Sequence, residues 1–292
     1  MTVLVTLSAG DSRLVLAPAI GGSIASWVRG ARPILRPIVP NALEDASPRG
    51  LGSYPLFPFS GRVAGRQFTW DSVTYELAAL MNGQAIHGSG WQQAWQIEDA
   101  TKRQAVLRLD HAPNALWPFA FLATQRFTLE ADRLICDLMI ENRHSRPAPV
   151  GFGQHPYFPR SPAARLRFAA GHVWHNGPGG ISSYRSAPPE KWDFRNGLSV
   201  GADYVDHCFG DWGGLAVLEY PDLGYRLRIE ADPVFHHVVV FVPEGRDFFA
   251  VEPVVNMGDA INRLEIEPDQ GMVVLPRGQQ LRGQIRYIIE ES

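Results

Sequence analysis

The stretch Arg133-Leu-Ile-Cys-Asp-Leu-Met-Ile-Glu141 decides the fold class. Apolar residues occupy positions 134, 136, 138 and 140, while charged residues at 133, 137 and 141 stand on the other face. A period of two is that of a β-strand with one face in a core and the other toward solvent. The same alternation recurs at 225–230 and at 281–290. The pattern therefore predicts an all-β protein made of half-buried antiparallel strands.

Turn signals and the lack of helical periodicity support this interpretation. Pro221-Asp-Leu-Gly224 and Pro243-Glu-Gly245 separate apolar runs, and 28 Gly and 23 Pro suffice to punctuate many short strands. At most, a short helix is predicted at 40–47. The loop-rich stretch 172–203 is long for an unstructured connection, which often indicates a functional loop. We expect one large antiparallel β-sandwich over residues 1–292, since no repeat or composition change marks a linker.

Composition excludes several function classes. Hydrophobic residues make up 45% of the chain and charged residues 20%, and the formal net charge of −3 includes no block of like charges. This balance disfavours both a nucleic-acid surface and a membrane-surface helix. Cys136 and Cys208 form no CxxC motif and fit a reducing cytoplasm. The N-terminus lacks a basic region before a long apolar run, so we predict a cytoplasmic protein without a signal peptide.

A histidine-centred stretch near the middle, Pro149-Val-Gly-Phe-Gly-Gln-His-Pro-Tyr-Phe158, is the first candidate site. Its two glycines let a backbone approach a ligand closely. Pro156 stiffens the chain beside His155, and Tyr157 adds a flat apolar surface with one hydroxyl. This combination suits a sugar better than a metal ion. The alternative is a buried structural histidine in a loop between strands.

Four further segments place polar groups beside glycines or at the end of an apolar run: 57–66 with Arg62 and Arg66, 82–91 with His87 and Trp91, 203–209 with Asp206, and 248–253 with Glu252. Two arginines four residues apart present forked donors to oxygen atoms, although solvated surface arginines would look the same. An apolar strand that ends in Glu252 desolvates the carboxylate, which raises its pKa and its strength as a base. The alternative for Glu252 is a strand-end residue that caps a turn.

Common catalytic and cofactor motifs are absent from the sequence. There is no GxSxG, no phosphate loop and no GxGxxG. His172 and His175 lie three residues apart, but no HExxH or CxxC accompanies them. Neighbouring strand residues point to opposite faces, so His236 and His237 are poorly placed to share a metal. We therefore predict no metal site.

In their order along the chain, these segments resemble the aldose 1-epimerase (galactose mutarotase) family. Gly61-Arg-Val-Ala-Gly-Arg66 is similar to the family's glycine-arginine-x-alanine-asparagine-arginine motif. Ala85-Ile-His-Gly88 resembles the family's leucine-histidine-glycine-glycine segment, and Gln154-His-Pro-Tyr-Phe158 resembles its histidine-x-tyrosine-phenylalanine segment. Asp206-His-Cys-Phe209 resembles the family's aspartate-histidine segment. Val251-Glu-Pro253 with Asp259-Ala-Ile-Asn262 resembles its glutamate-proline motif and the run that follows. Each motif alone is weak, but five in the family's order cover most of the chain.

The resemblance implies a galactose mutarotase-like supersandwich and an isomerase, an aldose 1-epimerase that interconverts the α and β anomers of a free monosaccharide. It further implies that Glu252 is the general base and His155 the general acid. The residues implied to hold sugar oxygens are Arg66, His87 and Asp206. Gly65 departs from the family's usual asparagine, which leaves the preferred sugar open.

The chemistry of anomer exchange adds further expectations. Opening the sugar ring requires one protonated and one deprotonated group, and we expect the charges of Glu252 and Asp206 to favour an imidazolium at His155. No redox step is involved, so no cofactor is expected. Apolar C–H faces of a sugar favour an aromatic platform. Tyr157, Trp91 and Phe241 are the candidates for it, with core packing the preferred interpretation for Phe241.

Two alternative functions stay open. A sugar-phosphate (hexose-6-phosphate) 1-epimerase would need additional cations, for which Arg62, Arg160 and Arg195 are available. A non-catalytic sugar-binding protein on the same fold would not need an acid–base pair, and Glu252 and His155 argue against it. As partners we expect a monosaccharide substrate, no nucleic acid and no membrane, and either a monomer or a homodimer.

Overall fold

The computed structural model describes residues 3–201 and 204–291, so Asp203 lies outside the described residues. The described chain is all-β, with antiparallel strands in two large sheets and three short two-stranded pairs. The predicted fold class is thereby confirmed. The three patterns that suggested it lie in β13 (Arg133–Asn142), β22 (Tyr225–Ala231) and β26 (Gln280–Glu291).

The larger sheet, called sheet A, contains eleven of the described strands. In spatial order they are β1 (Val5–Ala9), β2 (Ser12–Ala17), β3 (Ser23–Arg29), β5 (Ser53–Leu56), β15 (Gly153–Pro159), β24 (Phe248–Val254), β23 (His237–Val242), β20 (Val205–Gly210), β17 (His172–Asn176) and β18 (Ser182–Ser186), with β4 (Arg32–Pro33) paired to β3. At the centre of this sheet, β5, β15 and β24 are neighbours although they are far apart in sequence.

The second sheet, called sheet B, contains nine of the described strands. They are β10 (Gln96–Ala100), β11 (Gln104–His111), β12 (Phe121–Leu129), β13, β26, β22, β21 (Leu215–Tyr220), β16 (Arg165–Phe168) and β19 (Leu198–Ser199). The short pairs are β6 (Arg62–Val63) with β9 (Ala85–Ile86), β7 (Gln67–Trp70) with β8 (Val73–Glu76), and β14 (Ala148–Val150) with β25 (Val273–Leu275).

The helices of the described chain are 3-10 segments of three residues each. They are Pro48–Gly50, Ala64–Arg66, Gly90–Gln92, Pro178–Gly180, Glu190–Trp192, Phe194–Asn196 and Ala260–Asn262. Among residues 3–201 and 204–291, none is long and apolar enough to cross a membrane.

The main core fills the space between sheets A and B. The apolar side of β13, from Leu134 to Ile140, is at most 1% exposed and belongs to the same cluster as apolar residues of β1 to β3. Trp27 of sheet A meets Tyr287 of sheet B edge to face, with ring centroids 6.4 Å apart. The alternation seen in the sequence is thus the pattern of strands that bury one face against the opposite sheet.

Two regional expectations are corrected by the structure. Residues 40–47 form turns and not a helix, because Asn41 and Ala46 adopt left-handed backbone angles of 64° and 47° that break a right-handed helix. Within the stretch 172–203, the described residues 172–201 do not form an unstructured loop. They contain β17, β18, β19 and three 3-10 segments, and β17 and β18 extend sheet A at one edge.

A buried polar bridge joins the two sheets beside the histidine-centred stretch. Gln154 of β15 donates from its amide to the Gln125 side chain of β12 at 2.7 Å and accepts from the Ser53 hydroxyl at 2.9 Å. Gln125 in turn donates to the Gly22 carbonyl at 3.0 Å. All three side chains are at most 1% exposed. Because such a network stabilises only while every member is paired, it fixes β15 against sheet B.

We predict that Gln125→Leu destabilises the protein by about 2–4 kcal/mol, because it leaves the Gln154 amide and the Gly22 carbonyl buried without partners. Urea unfolding measures the change. Gln96→Ala, on the exposed edge strand β10, is the matched control and should have little effect. Equal stability of the two variants would show that the bridge does not hold the sheets together.

Candidate active site

The site lies on the face of sheet A that points away from the main core. Along β15, Gln154 and Phe158 point toward sheet B, and His155 and Tyr157 therefore project from the opposite face. In β24, Phe249 and Val251 belong to the main core, which leaves Glu252 on the outer face with Ala250.

Strand register brings distant residues into one row. Gly153 pairs with Val254 and Tyr157 with Ala250, which places His155 directly opposite Glu252. The same row continues to Tyr54 of β5 on one side. On the other side it continues to Val239 of β23 and Cys208 of β20. Residues directly opposite on adjacent strands have Cβ atoms about 4.5–5.5 Å apart, so they interact directly.

This row forms the floor of a cleft that opens to solvent. Residues that line the cleft include Arg49, Tyr54, Arg62, His87, His155, Tyr157, Asn176, Ser182, Asp206, Phe241 and Glu252. Five of the seven predicted site residues therefore lie together: Glu252, His155, His87, Asp206 and Tyr157.

His155 and Glu252 are in direct contact. The imidazole Nε2 lies 3.2 Å from the carboxyl Oε1, and the two side chains are 7% and 3% exposed. Burial lowers the pKa of His155 to about 3, and the positive charge of Arg36 acts in the same direction. Burial raises the pKa of Glu252 well above its ordinary value, and the negative charge of Asp206 adds to the rise. Both groups therefore prefer their neutral forms.

The expectation of an imidazolium is therefore wrong for the ligand-free site. Desolvation lowers the pKa of His155 and raises the pKa of Glu252, and the charges of Arg36 and Asp206 act in the same directions, so burial favours the neutral form of each group. A carboxylate–imidazolium pair contains the same single proton. The pair can thus change form by moving that proton along the 3.2 Å contact between His155 and Glu252, without exchange with solvent.

His87 is held as a neutral hydrogen-bond donor. Its Nδ1 accepts the backbone N–H of Gly61 at 3.2 Å, so the ring proton resides on Nε2. Burial lowers the pKa of His87 well below its ordinary value, and His155 acts in the same direction. The backbone at His87 is left-handed, with φ of 60°, which is uncommon outside glycine and concentrates at functional sites.

The side chains of Asp206 and Arg62 lie close to each other in the lining of the cleft. The Arg62 guanidinium lies 3.8 Å from the Asp206 carboxylate, and the two side chains are 22% and 18% exposed. Burial raises the pKa of Asp206, and the charge of Arg62 opposes that rise. Asn176 donates to the backbone carbonyl of Asp206 at 2.6 Å and so holds this part of β20 in place.

The structure corrects the expectation that Arg66 holds a sugar oxygen. Its guanidinium contacts the Glu76 carboxylate at 3.0 Å and the Leu77 carbonyl at 3.1 Å, and it does not line the cleft. Gly65 and Arg66 both have left-handed backbone angles, of 60° and 59°, which turn the chain toward β8. Arg62, from the same motif, lies in the cleft instead.

The structure corrects the expected positions of two aromatic residues, Trp91 and Phe241. Trp91 is 4% exposed and stacks behind Tyr54, with ring centroids 5.4 Å apart, so it supports the wall without lining the cleft. Phe241, expected in the core, is half-buried and lines the cleft. Its position in β23 gives the reason, since it lies two residues from Val239 on the outer face.

Sequence reasoning missed Tyr54, whose ring stacks on the His155 imidazole with centroids 4.7 Å apart. No motif marks it, because its role follows from the pairing of β5 with β15. It also missed Arg49, Asn176 and Ser182. The last two lie in the stretch that its length had already marked as functional.

We predict that the His155 ring stays neutral between pH 5 and 8, because its folded pKa of about 3 lies below this window. Histidine-selective NMR of ring ¹⁵N shifts tests this directly. A free imidazole would titrate near pH 6.5. A full shift change at His155 around that pH would contradict the neutral resting pair.

Comparison with known proteins gives a consistent result. The aldose 1-epimerase family model matches residues 3–287. The uncharacterized protein YphB of Escherichia coli (strain K12) is 29% identical over 297 residues, and the match covers 98% of each chain.

Solved structures with the same fold come from several organisms. A candidate aldose 1-epimerase from Escherichia coli K12 matches with a TM-score of 0.90 at 27% identity, over 99% of both chains. A galactose mutarotase-like protein from Clostridium acetobutylicum has a TM-score of 0.86 at 18% identity, over 98% of this chain and 95% of that one. The GalM/aldose epimerase homologue from C. elegans has a TM-score of 0.84 at 13% identity, over 100% and 99%. At these last two identities the likeness shows the fold alone.

Proposed function

Because the chain belongs to the aldose 1-epimerase family, we propose that it is a mutarotase that interconverts the α and β anomers of a free monosaccharide. The observation that carries the proposal is the contact of His155 with Glu252 on the floor of the cleft. A buried imidazole and a buried carboxyl that share one proton form an acid–base pair. Strongly perturbed pKa values in a cleft favour a catalytic role for such a pair.

The proposed reaction opens and closes the sugar ring. In the carboxylate–imidazolium form, Glu252 accepts the proton of the C1 hydroxyl and His155 donates its proton to the ring oxygen. The C1–O5 bond breaks, the C1–O1 bond becomes a carbonyl, and no electrons leave the sugar. The open aldehyde rotates about C1–C2, and closure from the other face reverses both transfers.

The resting protonation state fits the open-chain intermediate. After ring opening Glu252 carries the proton and His155 is neutral, which is the arrangement that burial favours in the empty cleft. For closure, Glu252 becomes the acid and His155 the base. Each positioned proton transfer contributes about 10²–10⁴-fold to the rate. The residues of the chain supply both transfers, so the proposal requires no cofactor.

The remaining polar groups are proposed to fix the sugar hydroxyls. His87 offers an Nε2–H donor and Arg62 a guanidinium, while Asp206 offers acceptor oxygens. Tyr157 and Phe241 provide aromatic surface for the C–H faces of the ring. Fixed polar groups of this kind determine orientation and specificity in small-molecule sites.

We predict that polarimetry of freshly dissolved α-glucose or α-galactose shows faster equilibration with the protein. Glu252→Gln and His155→Asn should each lower kcat by about 10²–10⁴-fold, because each removes one proton transfer. Glu44→Gln and His236→Asn change the same residue types at exposed positions and should keep wild-type rates. Circular dichroism checks that each variant folds.

Two results would contradict this proposal. Full turnover in either the Glu252 or the His155 variant would remove the assigned role. Spontaneous rates with every common aldose would leave sugar binding without catalysis as the function of the cleft.

A sugar-phosphate 1-epimerase is a second candidate function. Two of the three arginines suggested to bind its phosphate, Arg160 and Arg195, lie outside the cleft. Arg160 donates to the Pro243 carbonyl at 2.9 Å, and Arg195 pairs with Asp193 at 2.7 Å. Neither lines the cleft, whereas Arg62 does.

We predict that a chelator leaves turnover unchanged, because the proposed proton transfers use only side chains of the protein. Polarimetric rates before and after dialysis against EDTA measure this. In the described part of the chain, no group of three histidine, cysteine, aspartate or glutamate side chains is placed to hold a metal ion. Loss of activity that added Zn²⁺ or Mg²⁺ restores would contradict the prediction.

A further inference from the structure

The cleft contains a cation to which the proposed chemistry gives no role. Arg49 lines the cleft and is exposed. Among the described residues, no carboxylate lies within 4.0 Å of its guanidinium, and its side chain makes no hydrogen bond. Arg62, the other arginine of the lining, faces Asp206 at 3.8 Å. Among the described residues that line the cleft, Arg49 is therefore the arginine that faces no carboxylate.

The backbone that carries Arg49 is firmly held. Arg36 is 6% exposed, and its guanidinium donates to the carbonyls of Arg49 and Leu51, the latter at 2.9 Å. The same guanidinium stacks over the ring of Tyr157 at 3.8 Å from the centroid. A side chain added at Gly50 would clash with Ala42, so the 3-10 segment Pro48–Gly50 is also closely packed. Arg49 thus extends from a fixed turn into the cleft, with its guanidinium free to bind.

The charge balance of the lining favours an anion. When the shared proton rests on Glu252 and His155 is neutral, the charged groups of the lining are Arg49, Arg62 and Asp206. One positive charge is then in excess. A cleft with low-dielectric walls focuses such a field and attracts ligands of opposite sign.

We propose that Arg49 forms a subsite for an anionic substituent on the sugar, either a carboxylate or a phosphate, and that the preferred substrates are acidic aldoses. This inference rests on the proposed mutarotase function. The anion cannot be on O1, because ring opening requires a free anomeric hydroxyl. The guanidinium presents forked donors that match both carboxylate and phosphate oxygens.

The test compares glucose, glucuronate and glucose 6-phosphate as mutarotation substrates at low and high salt. We expect the wild-type protein to have a higher kcat/KM for one or both acidic sugars than for glucose, and salt to reduce that preference. Arg49→Ala should lower kcat/KM for the preferred acidic sugar roughly tenfold to a hundredfold more than for glucose, as loss of a charge-assisted hydrogen bond predicts. Arg49→Lys should retain part of the preference.

Arg103→Ala is the matched control, since Arg103 is an exposed arginine in the β10–β11 turn of sheet B and makes no side-chain contact with the cleft. It should leave the preference unchanged. The two acidic probes separate the sources of the anion, because a site built for a carboxylate favours glucuronate and one built for a phosphate favours glucose 6-phosphate.

Calorimetric measurement of the binding of the same three sugars distinguishes failure of the anion subsite from failure of the mutarotase proposal. If no sugar is turned over, the mutarotase proposal fails, but tighter binding of an acidic sugar that Arg49→Ala abolishes still supports the subsite. If glucose reacts and binds as well as both acidic sugars, or if Arg49→Ala changes all three alike, the subsite is wrong while the mutarotase proposal stands.

Discussion

The antiparallel pairing of β15 with β24 is the constraint on which the site depends. It sets His155 opposite Glu252 although 97 positions separate them along the chain. The neighbouring strands extend the row from Tyr54 on one side to Val239 and Cys208 on the other. Because side chains alternate across a sheet, a slip of one residue in this pairing would turn one partner into the main core. The polar bridge through Gln154 disfavours such a slip, because its hydrogen bond to Gln125 holds the other face of β15 against sheet B.

Burial of His155 and Glu252 is the main cause of their shifted pKa values. Removing water from both groups favours their neutral forms, although free imidazole is the stronger base in water. The surrounding charges reinforce this preference, since arginines oppose an imidazolium and Asp206 opposes a second carboxylate. The two forms of the pair differ only in the position of one proton. A site of this kind suits a reaction in which the same two groups exchange acid and base roles in each half.

The sequence predicted the fold class because a period of two is a local property that needs no knowledge of strand order. The order of motifs also predicted five residues of the cleft. Arg66 was misplaced because two consecutive left-handed residues redirect its side chain, which a motif cannot show. Trp91, Phe241 and Tyr54 depend on which strands become neighbours, and strands distant in sequence meet only in the folded sheet. The protonation of His155 was mispredicted because it depends on the balance between desolvation and several charges.

The most direct test of the account is a crystal structure of the Glu252→Gln variant with a bound aldose. We predict that the C1 hydroxyl lies within about 2.6–3.2 Å of the side chain at position 252 and the ring oxygen within the same distance of His155. A sugar whose C1 is out of reach of both side chains, or whose two oxygens meet only one of them, would contradict the central claim that this row of sheet A is built to act on a single anomeric centre.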